Sequence, residues 1–227
     1  MSNDPLIEKT IEYVKTTLQG AEGGHDWFHT ERVFKNALLL AKTEKVDSTV
    51  VQLGALLHDI ADAKFYQGDE TVGPKMARAF LTQENVSPQI VDHVVKIIEH
   101  ISFKNSLDSN AAPFCSTELQ VVQDADRLDA IGAIGIARTF NYGGFKNRAL
   151  YDPDIPPNLN MTKEVYKKSN APTINHFYEK LLLLKERMNT NTGRKLAAER
   201  HQFMLEYLQQ FYKEVGQEPN WQSHIPR

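Results

Sequence analysis

The spacing of apolar residues is the feature that most constrains the fold of this chain. Along most of its length they recur every three or four residues, the period of an amphipathic helix, and no long run alternates with period two. The pattern therefore predicts an all-α fold. We expect helices over residues 4–20, 28–44, 47–63, 70–85, 87–103, 116–140, 162–188 and 192–215.

Residues that favour helix ends support several of these boundaries. Asp4 and Asp47 stand where N-caps are expected before the first and third helices, and Ser87 stands directly before Pro88 at the start of the fifth. A short polar side chain at the N-cap accepts a hydrogen bond from the first helical turn, and proline fits the first helical position.

Two segments lack the helical pattern and are predicted as loops. Residues 104–113 are polar and end in a proline, and residues 141–160 are rich in glycine, proline and asparagine. The second segment is long for a connection within a compact helical domain, and loops of that length are commonly functional. Residues 141–160 are therefore a candidate for an active-site flap or cover.

Composition excludes several classes of protein. The 227 residues are 41% hydrophobic and 24% charged, ordinary values for a soluble globular protein that can bury a core without staples. A net charge of −3 predicts no general binding to nucleic acid or to an anionic membrane. With Cys115 alone, neither an intrachain disulfide nor a thiolate metal cage can form. The N-terminus lacks the regions of a signal peptide, so we expect a cytoplasmic protein.

Histidine and aspartate stand together in an apolar helix at "LLHDIADAKF", which contains His58 and Asp59. A buried histidine beside a buried aspartate costs several kcal/mol unless the two are paired or ligated (about 2–7 kcal/mol for one uncompensated polar group). Asp62 lies one turn beyond His58 and is placed to accept the proton on its second ring nitrogen, as around metal-bound histidines. The alternative is a satisfied polar pair at the edge of the core.

A second stretch, "HDWFHTERV", begins at His25 and ends at Val33. His25 and His29 have the i,i+4 spacing that would place them on one helical face. The glycines just before this stretch indicate that the helix starts near His25, so Asp26 is also a candidate N-cap. In that case His29 lies in the first turn and points inward, where a structural role is the alternative to a functional one.

The third stretch, "QDADRLDA", carries three aspartates within a helical segment. On a helical wheel of 100° per residue, Val121, Ala125, Leu128 and Gly132 form the apolar stripe. Asp129 borders that stripe, Asp126 lies farther round the same flank, and Asp124 lies on the opposite flank. Geometry alone slightly favours Asp129 as the inward carboxylate.

Together these stretches resemble the HD superfamily of metal-dependent phosphohydrolases, whose motif is H…HD…D on a helical bundle. The resemblance rests on "HDWFHTERV", "LLHDIADAKF", "IIEHISF" and "DADRLDAIGAIG" and covers roughly residues 20–140. It is strongest to small, uncharacterised bacterial members. It implies four metal ligands: His29, His58, Asp59 and Asp126.

The resemblance moves the last ligand from Asp129 to Asp126, because the family aspartate stands in an "ADxL" context. Asp129 stays as the fallback, and a shared role of Asp124 or Asp129 is left open. Imidazole and carboxylate ligands suit Mn²⁺, Fe²⁺, Co²⁺, Ni²⁺ or Zn²⁺. We expect one such divalent transition metal ion, with two ions as the alternative.

The resemblance also implies a function. We expect metal-activated water to hydrolyse a phosphate ester of a nucleotide or small phosphorylated metabolite, with His58, Asp59 and Asp62 as catalytic residues. Alternatives are a non-catalytic metal- or nucleotide-binding sensor module and a di-iron oxygenase of the same superfamily.

Four further residues are predicted to bind the substrate, although each could also be an ordinary surface group. They are Lys64, His93, His100 and Arg127. His93 and His100 lie seven residues apart on one edge of the fifth helix, the region from which relatives with two metals draw extra histidines.

The predicted organisation follows the motifs. Residues 1–140 would form the HD-domain core, and residues 141–227 a loop and a C-terminal helical extension that packs on the same domain. The apolar faces of the C-terminal helices are best explained as core, with a homodimer surface as the alternative.

Overall fold

The structure is a computed structural model that describes residues 4–20, 24, 26–61, 66, 69–101, 114–159 and 170–216. These residues contain helices and no strand, so the all-α prediction is confirmed. The helices are α1 (Pro5–Thr17), α2 (Trp27–Ala41), α3 (Ser48–Leu57), α4 (Val72–Gln83), α5 (Pro88–His100), α6 (Thr117–Asp129), α7 (Gly132–Phe145), α8 (Asn175–Glu179), a 3-10 helix (Leu181–Arg187) and α9 (Asn191–Val215). Within the described residues, no helix is long and apolar enough to cross a membrane.

The chain divides into two compact units. The first contains residues 1–126 and 189–193, and the second contains residues 127–188 and 194–227. The predicted loop 104–113 lies outside the described residues.

Helix α3 is the centre of the first unit. It contacts α1, α2 and α5, and every residue from Val50 to Leu57 is buried. Burial of a single leucine or valine side chain contributes about 1.5–3 kcal/mol relative to its exposed state. The carboxylate of Asp47 accepts hydrogen bonds from the amides of Thr49 and Val50, which confirms the predicted N-cap.

Helix α3 ends at Leu57, six residues before the end that we predicted. The ring Nδ1 of His58 lies 2.9 Å from the carbonyl oxygen of Ala55. In a continuing helix that oxygen would accept the amide of Asp59. The imidazole therefore takes the place of the backbone donor, and the chain leaves the helix at His58.

The single helix predicted over residues 116–140 is wrong, because the chain breaks between α6 and α7. Gly132 has a φ of +74°, a left-handed conformation that ends the regular ladder. The carbonyl of Leu128 accepts a short hydrogen bond from Arg200, and the carbonyl of Asp129 accepts one from Arg138. Two arginines thus satisfy carbonyls that would otherwise bind the amides of the next turn.

The prediction for residues 141–188 is also only partly correct. Helix α7 continues to Phe145, into the segment that was predicted as a loop. Gly143 lies so close to Thr173 that an added β-carbon would be 2.3 Å from the hydroxyl oxygen. In the described part of the predicted helix 162–188, residues 170–174 are not helical and α8 begins only at Asn175. The amide of Thr173 binds the carbonyl of Ala149 instead of a helical partner.

The second unit has an aromatic core that joins α7, α8 and α9. The rings of Phe177 and Tyr207 stack at 5.8 Å with planes 9° apart, and Phe140 lies 6.1 Å from each of them. Helix α9 has its predicted extent within one residue at its start. The expectation that the apolar faces of the C-terminal helices are core is thus met at Phe177, which is fully buried.

Candidate metal centre

Three of the predicted metal ligands lie together in the first unit. His29 is in the first turn of α2, His58 directly follows α3, and Asp126 is on α6. Each offers one ligand atom, and these atoms all lie within 4.8 Å of one another. Three segments that are far apart in the sequence therefore place an imidazole or a carboxylate at a common point.

The start of α2 fixes the position of His29. The carboxylate of Asp26 caps the helix by accepting a hydrogen bond of 2.9 Å from the amide of His29. This interaction holds the backbone at the residue that carries the imidazole, whose side chain is buried. The alternative role of Asp26 as an N-cap is confirmed, and His25 lies outside the described residues.

The hydrogen bond from His58 Nδ1 to the Ala55 carbonyl fixes both the ring and its tautomer. A carbonyl oxygen only accepts, so Nδ1 carries a proton. The lone pair of the neutral ring is then on Nε2, which points toward His29 and Asp126. Metal-bound histidines commonly donate a hydrogen bond from the N–H of their other ring nitrogen to a backbone carbonyl or a carboxylate in this way.

The distances at the centre are those of groups around a small cation. The two Nε2 atoms are 3.3 Å apart, and Asp126 Oδ1 lies 3.5 Å from that of His29 and 3.9 Å from that of His58. Electron-pair donors held this close repel each other unless a proton or a cation lies between them. Two imidazoles and a carboxylate fit a divalent transition metal such as Mn²⁺, Fe²⁺, Co²⁺, Ni²⁺ or Zn²⁺.

Asp59 is not a member of this cluster. It follows His58 directly and is partly buried. Its role as a fourth ligand rests on the family resemblance and stays a prediction. Asp62 and Lys64 lie outside the described residues, and the acceptor that the structure gives to His58 Nδ1 is the Ala55 carbonyl.

The other two aspartates of α6 have different partners. Asp129 is buried, as the helical wheel suggested, but its carboxylate binds Arg138 at 2.7 Å. Asp124 is also fully buried, and its carboxylate binds residues 189 and 190. Asp126 is the carboxylate of α6 that faces the two histidines, in agreement with the family resemblance rather than with helical geometry alone.

The predicted substrate-binding residues that the structure describes, His93, His100 and Arg127, are not in the cluster. His93 and His100 both contact the ring of Phe114, with centroids 5.7 and 5.5 Å apart. His93 Nε2 lies 2.9 Å from the hydroxyl of Ser116, and Arg127 donates a hydrogen bond of 2.6 Å to the carbonyl of Arg187. Their assignment to substrate stays a prediction.

Sequence reasoning missed two features that shape this centre. The first is the Ala55 carbonyl as the acceptor for His58 Nδ1. Its position three residues before His58 is a local signal, because the ring Nδ1 can reach the carbonyl of the preceding helical turn. The binding of Asp124 by Asn189 and Thr190 had no local signal, since 65 residues separate Asp124 from Asn189.

Comparison with known proteins identifies the family. The HD domain family matches residues 27–131. A protein of known crystal structure from Lactobacillus plantarum is 39% identical, with a TM-score of 0.78 and coverage of 95% of this chain and 99% of that one. An HD-superfamily hydrolase from Bacillus thuringiensis is 42% identical, with a TM-score of 0.72 and coverage of 93% and 97%.

The uncharacterised protein YpgQ of Bacillus subtilis is 37% identical over 210 residues, which cover 92% of this chain and 93% of YpgQ. The crystal structure of YpgQ in complex with ADP has a TM-score of 0.71 and 33% identity, and the comparison covers 92% of this chain and 97% of that one. This chain therefore belongs to the HD domain family. The resemblance inferred from its four motifs is confirmed.

Proposed function

We propose that this protein is a metal-dependent phosphohydrolase that cleaves a phosphate ester of a nucleotide or of another small phosphorylated metabolite. The observation that carries the proposal is the convergence of His29, His58 and Asp126 at one point. The similar HD-superfamily hydrolase of Bacillus thuringiensis supports hydrolysis. The ADP complex of YpgQ supports a nucleotide as ligand.

In this proposal His29, His58 and Asp126 hold one divalent cation, and Asp59 is the predicted fourth ligand. A bound cation would supply Lewis acidity toward a phosphoryl oxygen and would lower the pKa of a water molecule. His58 is oriented by the Ala55 carbonyl, so its Nε2 lone pair is directed to the site without rearrangement. Asp126 has a side chain that is 41% exposed and brings negative charge to the open side of the cluster.

Substrate recognition is assigned to basic groups. The predicted contacts to phosphate are Lys64, Arg127, His93 and His100. Asp62 is predicted separately as a catalytic carboxylate. Cationic groups of this kind neutralise charge on the equatorial oxygens during phosphoryl transfer.

The proposal is tested with protein stripped of metal and reconstituted with Mn²⁺, Co²⁺ or Ni²⁺. We expect phosphate release from ADP, from other nucleotides or from a generic aryl phosphate only when metal is present. Asp126→Asn and His29→Gln should lower the rate by more than about a hundredfold, because each removes a group that holds the cation. Asp92→Asn, which changes an exposed carboxylate paired with Arg78, is the matched control and should retain activity.

Two other outcomes would point to the alternative functions. Tight binding of ADP with no phosphate release by any metal form would indicate a sensor module. Two irons per chain with oxygen consumption would indicate a di-iron oxygenase. Metal-independent phosphate release, unchanged in Asp126→Asn, would contradict the proposal.

A further inference from the structure

Asp124 is a buried carboxylate two residues before Asp126 on α6, and its side chain is fully enclosed. Oδ1 accepts hydrogen bonds from the amide and the side-chain nitrogen of Asn189 at 2.9 and 3.0 Å. Oδ2 accepts from the amide and the hydroxyl of Thr190 at 2.7 and 2.9 Å. A carboxylate on α6 thus binds the segment that leads into α9.

The chemistry of this contact requires an aspartate. The amide and side-chain nitrogens of Asn189 and the amide and hydroxyl of Thr190 are all donors that point at one of the two Asp124 oxygens. An asparagine would place its NH₂ group against a donor in either orientation of the amide. The contact is also tight, because a β-carbon at Gly193 would lie 2.5 Å from Asp124 Oδ2.

The neighbouring residues of α6 are bound in the same way to other elements of the first unit. Gln123 donates a hydrogen bond of 3.1 Å to the carbonyl of His100, the last residue of α5. The carbonyl of Ala125 accepts one of 3.3 Å from Asn36 on α2. Three consecutive residues of α6 therefore each bind a different part of the chain.

These contacts determine where Asp126 points. Successive helical residues are rotated by 100°, so a helix held at residues 123, 124 and 125 has its next side chain directed as well. Asp126 needs this support because its own side chain is 41% exposed. Burial alone does not hold its carboxylate beside His29 and His58.

We infer that Asp124 is a positioning residue for the metal centre: by binding Asn189 and Thr190, it holds α6 in the rotation that brings Asp126 to the two histidines. The inference rests on the cation site of the proposed function and is independent of turnover. It also gives the segment 189–193 an influence on metal affinity, although none of its residues is a predicted metal ligand.

The test measures binding of Co²⁺ and Mn²⁺ alone to the full-length, metal-free protein, by calorimetry and by the visible spectrum of the Co²⁺ form. Asp124→Asn removes the acceptor, and Gly193→Ala displaces the carboxylate while keeping its charge. We expect both to weaken Co²⁺ binding by about 10- to 100-fold, the effect typical of residues that orient metal ligands, and to change the Co²⁺ spectrum. Thr190→Ser keeps the hydroxyl and should bind Co²⁺ as the wild type does.

Leu81→Ala is the control for general destabilisation. Leu81 is fully buried on α4, away from α6 in the sequence and outside the ligand cluster. It should lower the melting temperature and leave Co²⁺ affinity unchanged.

Wild-type affinity in both folded variants, Asp124→Asn and Gly193→Ala, would overturn the inference. An equal loss of affinity in Leu81→Ala at the same loss of melting temperature would also overturn it. A wild-type protein that binds Co²⁺ in a His29-dependent way but hydrolyses nothing would refute the proposed function alone. A wild-type protein that takes up no Co²⁺ would refute the site and this inference together.

Discussion

His58 Nδ1 donates a hydrogen bond of 2.9 Å to the carbonyl of Ala55 where helix α3 ends, and Nε2 of the same ring faces His29 and Asp126 at the candidate metal centre. This hydrogen bond predicts a single neutral tautomer, with the proton on Nδ1, in the metal-free protein and in the metal-loaded one. Long-range ¹⁵N–¹H spectra of histidine-labelled protein will show which nitrogen is protonated. Addition of Zn²⁺ should shift the His58 Nε2 resonance and leave the Nδ1 proton in place. A proton found on Nε2 in the neutral ring would contradict this account of the site.

Asp126 and Asp129 make a matched pair of carboxylates on one helix. Asp126→Asn should reduce Co²⁺ affinity by more than about a hundredfold. Loss of a metal ligand weakens binding more than loss of a residue that only orients a ligand, which typically costs about 10- to 100-fold. Asp129→Asn removes a buried partner of Arg138 and should lower the free energy of unfolding by about 1.5–3 kcal/mol. Titration calorimetry and urea unfolding on both variants separate the two roles. If Asp129→Asn lost more Co²⁺ affinity than Asp126→Asn, Asp129 rather than Asp126 would be the metal ligand on α6.

Gly132, at the break between α6 and α7, is predicted to be a position where any other residue destabilises the fold. Alanine there would have to adopt a φ of +74°, and its β-carbon would lie 3.0 Å from Cγ of Arg200. We expect Gly132→Ala to lower the free energy of unfolding by about 1–3 kcal/mol. Gly144→Ala is the matched control, because that glycine lies in α7 with nothing within 4 Å of the added carbon. It should be neutral or stabilise the protein by up to about 1 kcal/mol. Both effects are read from urea unfolding curves.

His176 in the second unit should make stability depend on pH. The pKa of His176 is lowered to about 3, mainly because the ring is buried and to a smaller extent because Lys180 and Arg148 carry positive charge nearby. The unfolded chain binds a proton at this residue near its ordinary pKa of about 6.5, while the folded protein does not until about pH 3. The free energy of unfolding therefore falls as the pH is lowered through that window, by up to about 1.4 kcal/mol per pH unit from this residue.

The measurement is urea unfolding of wild type and His176→Gln between about pH 4 and pH 7. Comparison of the two proteins cancels the contribution of the other ionisable groups. We expect a shallower pH dependence in the variant. An identical slope in both proteins would show that His176 is not kept neutral by its surroundings.

The sequence predicted most helices in the first unit and at the C-terminus because apolar spacing and N-caps are local signals. Asp47 and Asp26 both cap helices as their positions suggested. The break after α6 was missed although Gly132 and Arg138 are near it in the sequence, because the donor to the Leu128 carbonyl is Arg200, 72 positions away. No window of local sequence contains both partners.

The candidate site shows the same division. Family motifs predicted His29, His58 and Asp126, which the fold brings together, whereas the helical wheel could only say that Asp129 faces inward. Burial does not specify a partner, and Arg138 takes that carboxylate. The part of the site that was missed, the anchoring of Asp124, involves residues that become neighbours only after folding.

Helix α3 is enclosed along its length from Val50 to Leu57, and the imidazole of His58 stands at its end. A helix that is buried on all sides tolerates few substitutions, since nearly every one changes the volume that its side chains fill in the core. Changes in ligand preference would then have to come from more peripheral segments, because a substitution between Val50 and Leu57 would disturb the packing that places His58.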